Sequence, residues 1–358
     1  MAIQSLNVLT RSNYGGGESG LICGYVFAAG AAPREIDAAF AQAWLATDAA
    51  PDAAMPAEAP RARAEGTAFV WLHFNLAHAG ASRWLQRHAG LPEEFHEALV
   101  AAAPSTRIER ADDALVAVIN DAQFDFAFEA TDIATLCVGV TPRLVVTARR
   151  RPLRSIDRLR LQVQGGLALR SGVELLERLL RAQADVLVDI VRGVTARVDG
   201  IEDDLLAGQR RHKRAGLGAL RRLLVRLQRL LAPEPAALFR LLQHPDEWMA
   251  EADVEDLRQS TEEFSVALRD MAALQERIKL LQEEIAASVN EDNNRSLFVL
   301  TVVTVLALPI NILAGLFGMN VGGVPWGDNP HGFWIVVGVV LSFTAIAGWL
   351  ALRKTDER

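Results

Sequence analysis

The stretch from Ser296 to Phe317, SLFVLTVVTVLALPINILAGLF, contains no charged residue. As a helix it is long enough to cross a bilayer core of about 30 Å. Its few polar side chains are ordered. Alternating steps of four and three from Asn294 meet Leu297, Thr301, Thr304, Leu308, Asn311, Gly315 and Gly318, so hydroxyls, amides and glycines share one stripe. Amides and hydroxyls facing lipid are costly, so this stripe is expected to face protein or water. Two readings stay open on pattern alone: contact between helices, which small and polar residues commonly line, or the wall of an ion path.

Gly318-Met319-Asn320 follows the apolar stretch, then VGGVPWG and a second apolar span, Phe333–Leu352, with Arg353 and Lys354 directly after it. A Gly-Met-Asn motif between two such spans resembles the CorA family of divalent-metal transporters. The surrounding residues, Asn293-Asn294-Arg295, Leu300–Thr304 and Val321–Trp326, look most like its zinc-transporting branch, ZntB. The close likeness covers about the last 70 residues, counted from the sequence. The resemblance implies an α+β cytoplasmic domain, a long helical stalk and a two-helix transmembrane hairpin. It also implies a homo-oligomer of five subunits, the backbone of Gly318 and Met319 with Asn320 as an outer selectivity ring for a hydrated ion, and inward, proton-coupled zinc movement. Read structurally, Gly318 is equally a simple helix C-cap.

Charge sets the topology independently of that likeness. Val321–Gly332 has no Lys or Arg, whereas Arg295, Arg353 and Lys354 flank the opposite ends of the two spans. The positive-inside rule then places both termini in the cytoplasm of a cell with an inner membrane, and the loop outside. The first 20 residues lack the apolar core of a secretory signal. The resulting division is a cytoplasmic α/β domain over 1–165, a helical stalk over 166–294 and a membrane domain over 295–358. Within the last, the first span is about 296–317, the loop 318–332 and the second span about 333–352.

In the first division, Leu21–Ala28, Ala68–Leu76, Leu115–Asn120, Ala134–Val140 and Leu144–Ala148 read as strands, and Glu35–Ala46, Arg83–Arg87 and Glu93–Ala102 as helices. Ala49–Pro60 reads as a Pro/Ala-rich loop. Cys23 and Cys137 are isolated and read as strand residues in a reducing compartment. His73, His78, His88 and His96 show no metal-ligand spacing and read as surface or hydrogen-bonded histidines. Arg149, Arg150, Arg151, Arg154, Arg158 and Arg160 form a basic run, either a solvated or ion-paired face or a binding site for anionic lipid.

From Val173 onward the pattern is helical. Leu176, Leu179, Leu180, Leu187, Ile190, Val194, Val198 and Leu205 recur at threes and fours. A second helix is expected over Leu217–Leu231, ended by Pro233 and Pro235. A third begins near Asp246 and shows no stop before the first span. Unbroken from Asp246 to Phe317, it would be about 108 Å long. Its outward positions are read as acidic, Asp253, Glu255, Asp256, Glu262, Glu263, Glu276, Glu283, Glu284, Glu291 and Asp292, partly neutralised by the Arg-rich helix before it. Such a field would concentrate cations.

Two membrane helices cannot enclose a pore, so several copies must close a ring. The stripe nominates the first span as the inner wall: Asn294, Leu297, Thr301, Thr304, Leu308, Asn311 and Gly315, then Gly318, Met319 and Asn320 at the outer mouth. Asp328 and His331 are titratable groups placed to gather cations at the entrance, or else plain loop residues. The lining has no Cys, His, Asp or Glu, and zinc held directly prefers thiolate and imidazole. Such a wall suits a cation that keeps most of its water, and Leu297 and Leu308 are candidate dewetting gates. Neither span carries Asp, Glu or His for a proton relay, so any protonatable element would be His331, Asp328 or a cytoplasmic group.

No resident cofactor is expected. The cargo is zinc or, in rival readings, Mg2+, Co2+, Ni2+ or Cd2+. The partners are further copies of the chain and the lipid bilayer, and the net charge of -7 argues against nucleic acid. No Walker lysine, nucleophile elbow or zinc-peptidase signature is present, which argues against an enzyme. A membrane-anchored sensor or scaffold reporting through the stalk is the alternative from another class.

Overall fold

The computed structural model describes residues 19–28, 31–47, 68–101, 106–129, 132–207, 213–319 and 330–356. The chain divides into two compact units, residues 1–280 and 281–358.

The first unit is built on a seven-stranded sheet in the order β2-β1-β3-β7-β6-β5-β4. In chain order its strands are β1 (Leu21–Phe27), β2 (Arg34–Glu35), β3 (Phe69–Asn75), β4 (Arg107–Ala111), β5 (Ala114–Ala122), β6 (Ile133–Val140) and β7 (Leu144–Arg149). Only β3 and β7 pair in parallel, Val70 opposite Leu144; the other neighbours are antiparallel. Alternation gives both faces an apolar core. Tyr25, Phe27, Phe69, Trp71, Leu115, Ile119 and Leu136 belong to one core, and Val26, Val70, Leu72, Val116, Val118 and Val146 to the other.

Three short helices cover the second core: α1 (Ala38–Ala46), α2 (Ala79–His88) and α3 (Glu93–Val100). The first core is closed by α4 (Arg154–Gln164), α5 (Gly172–Leu206), α7 (Pro233–Gln243) and the start of α8 (Glu251–Phe317). Between α5 and α7 lies α6 (Lys213–Leu231). It runs back along α5: a Cβ on Gly216 would stand 3.6 Å from Ile201, while Leu227 and Leu231 share a cleft with Val186 and Ile190.

The five expected strands are present to within a residue or two at each end. Strands β2 and β4 are additional: two residues are too few to show a period, and RIERA reads as polar because three of its five residues, Arg107, Glu109 and Arg110, are charged. Glu35 belongs to β2 rather than to a helix. The helix begins after Asp37, whose carboxylate accepts the Phe40 N–H at 2.8 Å. Ala49–Pro60 lies outside the described residues.

The helix expected over Leu217–Leu231 ends at Leu231, ahead of the two prolines, as expected. The sequence did not show that Pro233 and Pro235 then open α7, which is possible because proline in a first turn forfeits no intrahelical hydrogen bond. One correction concerns the next helix. The last long helix starts at Glu251, not Asp246. Arg110 holds Asp246 at 2.7 Å, and the Met249 N–H closes a turn onto the Asp246 carbonyl at 3.0 Å.

Ion pairs bind α8 to α5 along their length. Arg170 pairs with Asp253 at 2.6 Å, Ser260 donates to Glu177 at 2.5 Å, and Arg277 reaches Asp199 at 2.8 Å and Glu202 at 2.5 Å. Both residue numbers rise together, so the two helices run in the same direction. Asp253, expected at an outward position, is 1% exposed, held by Arg170 and Ser171. The arginines that neutralise acids at this seam are Arg170, Arg178, Arg181 and Arg277. Among the described residues Arg222, Arg226 and Arg229 of the Arg-rich α6 make no ion pair.

The second unit holds the later part of α8 and α9 (Gly332–Asp356). Both helices are long and apolar enough to cross a membrane.

Candidate ion-conducting helix

Helix α8 continues without interruption through the apolar stretch and past Pro309 to Phe317. Proline lacks the N–H that would bond the carbonyl four residues earlier, so the Val305 carbonyl has no intrahelical partner. Pro309 was not singled out from the sequence, although a proline within an uninterrupted helical pattern is a legible signal.

Asn294, Leu297, Thr301, Thr304, Leu308, Asn311 and Gly315 are all exposed in the single chain. Val302, Leu306, Pro309, Ile310, Leu313 and Phe317 are half-buried, with Ala307 the one such residue off their side. At 3.6 residues per turn the two sets point about 160° apart. The amide-and-hydroxyl stripe is therefore not consumed by packing within the chain. The Thr301 and Thr304 hydroxyls donate to the Leu297 and Leu300 carbonyls at 2.7 and 2.8 Å. Each oxygen keeps lone pairs free for water or a cation.

At the end of α8 the Gly318 N–H bonds the Ala314 carbonyl at 3.0 Å and Met319 N–H that of Leu316 at 3.5 Å. A Cβ on Gly318 would stand 3.0 Å from the Ala314 oxygen, a contact tight enough to account for glycine here without any ionic role. Met319 is exposed. Asn320 and Asp328 lie outside the described residues; His331 is exposed, one residue before α9.

The other sequence candidates resolve into structural roles. His73 is fully buried in β3, its Nδ1 2.8 Å from the Thr147 hydroxyl, while Arg149 donates its Nε–H to His73 Nε2 at 3.1 Å. Burial and the Arg149 charge hold the His73 pKa well below its ordinary value. Cys23 and Cys137 are buried strand residues, and burial pushes their thiols up to about 12 and about 11. Among the described residues no three His, Cys, Asp or Glu side chains gather where one metal ion would fit.

The basic run is engaged by partners within the chain, although Arg150 and Arg151 remain exposed. Arg149 is buried, Arg150 and Arg154 donate to the Leu99 and Phe124 carbonyls, Arg151 to Gln123, Arg158 pairs with Asp189, and Arg160 with Asp157. Sequence reasoning also passed over Glu234, a carboxyl with no exposed surface. Its Pro-Glu-Pro setting resembled a helix end.

The model of the family described as "CorA-like Mg2+ transporter protein" matches residues 66–353, most of the chain. The chain belongs to the CorA family. It is a divalent-cation transporter, not an enzyme. Among relatives of this CorA protein is the divalent cation transporter CmaX of Pseudomonas aeruginosa, 27% identical over 290 residues, covering 80% of this chain and 86% of that one. The zinc transport protein ZntB of Yersinia enterocolitica is 26% identical over 309 residues, 86% of this chain and 91% of its own. Among solved structures, full-length CmaX superposes with a TM-score of 0.74 at 26% identity, covering 95% of this chain and 98% of that one. The CorA magnesium transporter of Methanocaldococcus jannaschii shares the fold, with a TM-score of 0.72 at 18% identity over 91% of this chain and 96% of that one.

Proposed function

We propose that this CorA-family protein is a homopentamer of the bacterial inner membrane, with both termini in the cytoplasm, that carries zinc inward along a path lined by α8. The observation that carries the reading is the uncovered polar stripe, directed away from the side of α8 that the chain itself covers. Five copies turning Asn294, Leu297, Thr301, Thr304, Leu308, Asn311 and Gly315 toward a common axis would give every amide and hydroxyl a watery neighbour. Gly318, Met319 and Asn320 would stand at the outer mouth, with Asp328 and His331 at its approach.

The lining offers oxygen and amide groups but no thiolate, imidazole or carboxylate. The ion therefore passes with most of its water, contacted by Asn311 and Asn320 through that shell. The zinc reading draws support from the relatives named ZntB and from the residues flanking Gly318-Met319-Asn320. A magnesium, cobalt or nickel path of the same build is the second reading, favoured by the same all-oxygen lining. Neither span holds an ionisable side chain, so coupling to protons requires a group elsewhere.

Metal uptake into proteoliposomes, with zinc and magnesium compared with and without a pH gradient, tests this. Zinc entry that exceeds magnesium entry, rises with the gradient and falls in Asn311→Leu and Asn320→Ala is expected. Magnesium entry exceeding zinc and indifferent to pH would overturn the zinc assignment. Absence of flux for either ion would favour a sensor or scaffold.

A further inference from the structure

We propose that Glu234, sealed between α7, β5 and α5, is a proton-binding site of this transporter: protonated, it seats α7 against the sheet, and ionised, it releases α7. The inference rests on the transport reading and supplies the protonatable group that the membrane spans lack.

Glu234 stands in the first turn of α7 with no exposed surface. Its Oε1 accepts the Asn120 backbone N–H at 3.0 Å, and its Oε2 accepts the Gln183 side-chain amide at 2.8 Å. The same Gln183 nitrogen donates to the Asn120 carbonyl at 2.6 Å. Three elements are therefore tied at one carboxyl. Two N–H donors and a helix N-terminus favour the charged form. Against them stands the absence of a counter-charge: among the described residues no Arg, Lys or His contacts Glu234.

The charged groups on neighbouring elements carry the same sign, are paired elsewhere or, like Arg226 and Arg229 of α6 and Arg240 of α7, are exposed. On β5, Asp121 is the acid that raises Glu234 further, and it accepts from the Ser155 N–H at 2.9 Å and its hydroxyl at 2.5 Å. On β4, Arg107 pairs with Glu109 and Arg110 with Asp246. From α5 the facing group is the uncharged Gln183, and α6 presents Leu227 and Leu231. Burial is the largest influence and pushes Glu234 up to about 8; it also pushes Asp121 up to about 6. Between pH 7 and pH 9 the protonated fraction of a group titrating near 8 falls about tenfold.

A narrow cleft walled by Asn120, Asp121, Gln183, Val186, Leu227 and Leu231 adjoins the Asn120 and Gln183 groups that bond Glu234, although Glu234 itself does not line it. Gln183 is buried, and its Oε1 has no hydrogen-bond partner. Ionisation puts a charge without a counter-ion beside Asp121 in this dry setting, and relief requires water in the cleft or movement of α7. Helix α7 leads through residues 244–250 into α8, which continues to Phe317 and carries the stripe. A shift of α7 thus acts on the first turns of the ion-lining helix, where Arg170 and Ser171 hold Asp253.

Because the folded protein binds this proton more tightly than the unfolded chain, the stability it contributes is present at low pH. It is lost as pH rises from the ordinary carboxyl range through about 8. The full-length protein, purified without added metal, is unfolded thermally from about pH 6.5 to about pH 9.5 as wild type and Glu234→Gln. The wild type is expected to lose stability relative to the variant as pH rises to about 8 and to level off above it. In vesicles exposing the cytoplasmic face, wild-type flux of whichever of zinc or magnesium it carries should change with a midpoint near 8, and Glu234→Gln flux should not.

Asp121→Asn, which leaves Glu234 in place, should move the midpoint to lower pH, and it serves if Glu234→Gln fails to fold. Superimposable pH profiles of wild type and Glu234→Gln overturn the site. A step in unfolding with flat flux overturns its link to transport. Absence of flux for both ions overturns the transport reading, while the unfolding curves still decide Glu234.

Discussion

Replacing Thr147 by Val tests whether the buried histidine of the sheet is a structural hydrogen-bonding residue. Thr147 is fully buried in β7, and its hydroxyl oxygen receives the Trp71 indole N–H at 2.9 Å as well as facing His73 Nδ1 at 2.8 Å. Arg149 always donates, so His73 Nε2 must accept and the neutral ring must carry its proton on Nδ1. The tautomer is thereby fixed, and His73 cannot adjust when the hydroxyl goes. Valine keeps the volume, so little packing is lost, but two buried N–H groups are orphaned at about 1–3 kcal/mol each. The extra methyl returns about 0.8 kcal/mol.

The net loss for Thr147→Val is about 1–5 kcal/mol, and for a domain this large each kcal/mol lowers the unfolding temperature by about 2–4 °C. Thr147→Ser keeps the acceptor and loses a methyl, at about 1 kcal/mol. Thermal unfolding of the purified chain, followed by tryptophan fluorescence, should order the stabilities wild type, Ser, Val. Were the valine variant as stable as the serine variant, the hydroxyl would not be the acceptor on which Trp71 and His73 depend.

Glu177→Ala should destabilise the chain by about 1–3 kcal/mol, read from the same unfolding curves, because the 1% exposed Ser260 loses its acceptor. The larger cost of breaking a buried ion pair is not expected, since Arg178 and Arg181 are each 38% exposed and can turn to water. Gly193→Ala should also destabilise, by about 1–3 kcal/mol, although alanine is the better helix former. A Cβ there would lie 2.7 Å from the Phe128 ring, which is itself held under the Arg197 guanidinium at 3.8 Å; adding Phe128→Leu should recover stability. Thr304→Val should lower divalent-cation flux in vesicles without lowering the yield of assembled protein, because its hydroxyl bonds only its own helix backbone.

The membrane helices and the stripe were legible because they follow from local periodicity. A run without charge must be helical in lipid, and the angular spacing of Asn294, Thr301, Thr304 and Asn311 is set by helix geometry alone. The central strands β3, β5, β6 and β7 were legible for a similar reason, as short β-branched runs between turn formers. The two-residue β2 and the charged β4 were not, because pairing with a neighbour, rather than composition, makes them strands.

By itself the sequence determined the long helix that enters the first span, the two spans and the family motif. Only the tertiary structure decided which polar residues go without water. Arg149 and Asp253 read as surface charges yet are buried, and Glu234 sat unnoticed between two prolines. Burial depends on which distant segments arrive at a residue: β3 at Arg149, the start of α5 at Asp253, β5 and α5 at Glu234. One chain's local pattern carries no record of those encounters, and it is the loss of water there that turns an ordinary carboxylate into a titrating group.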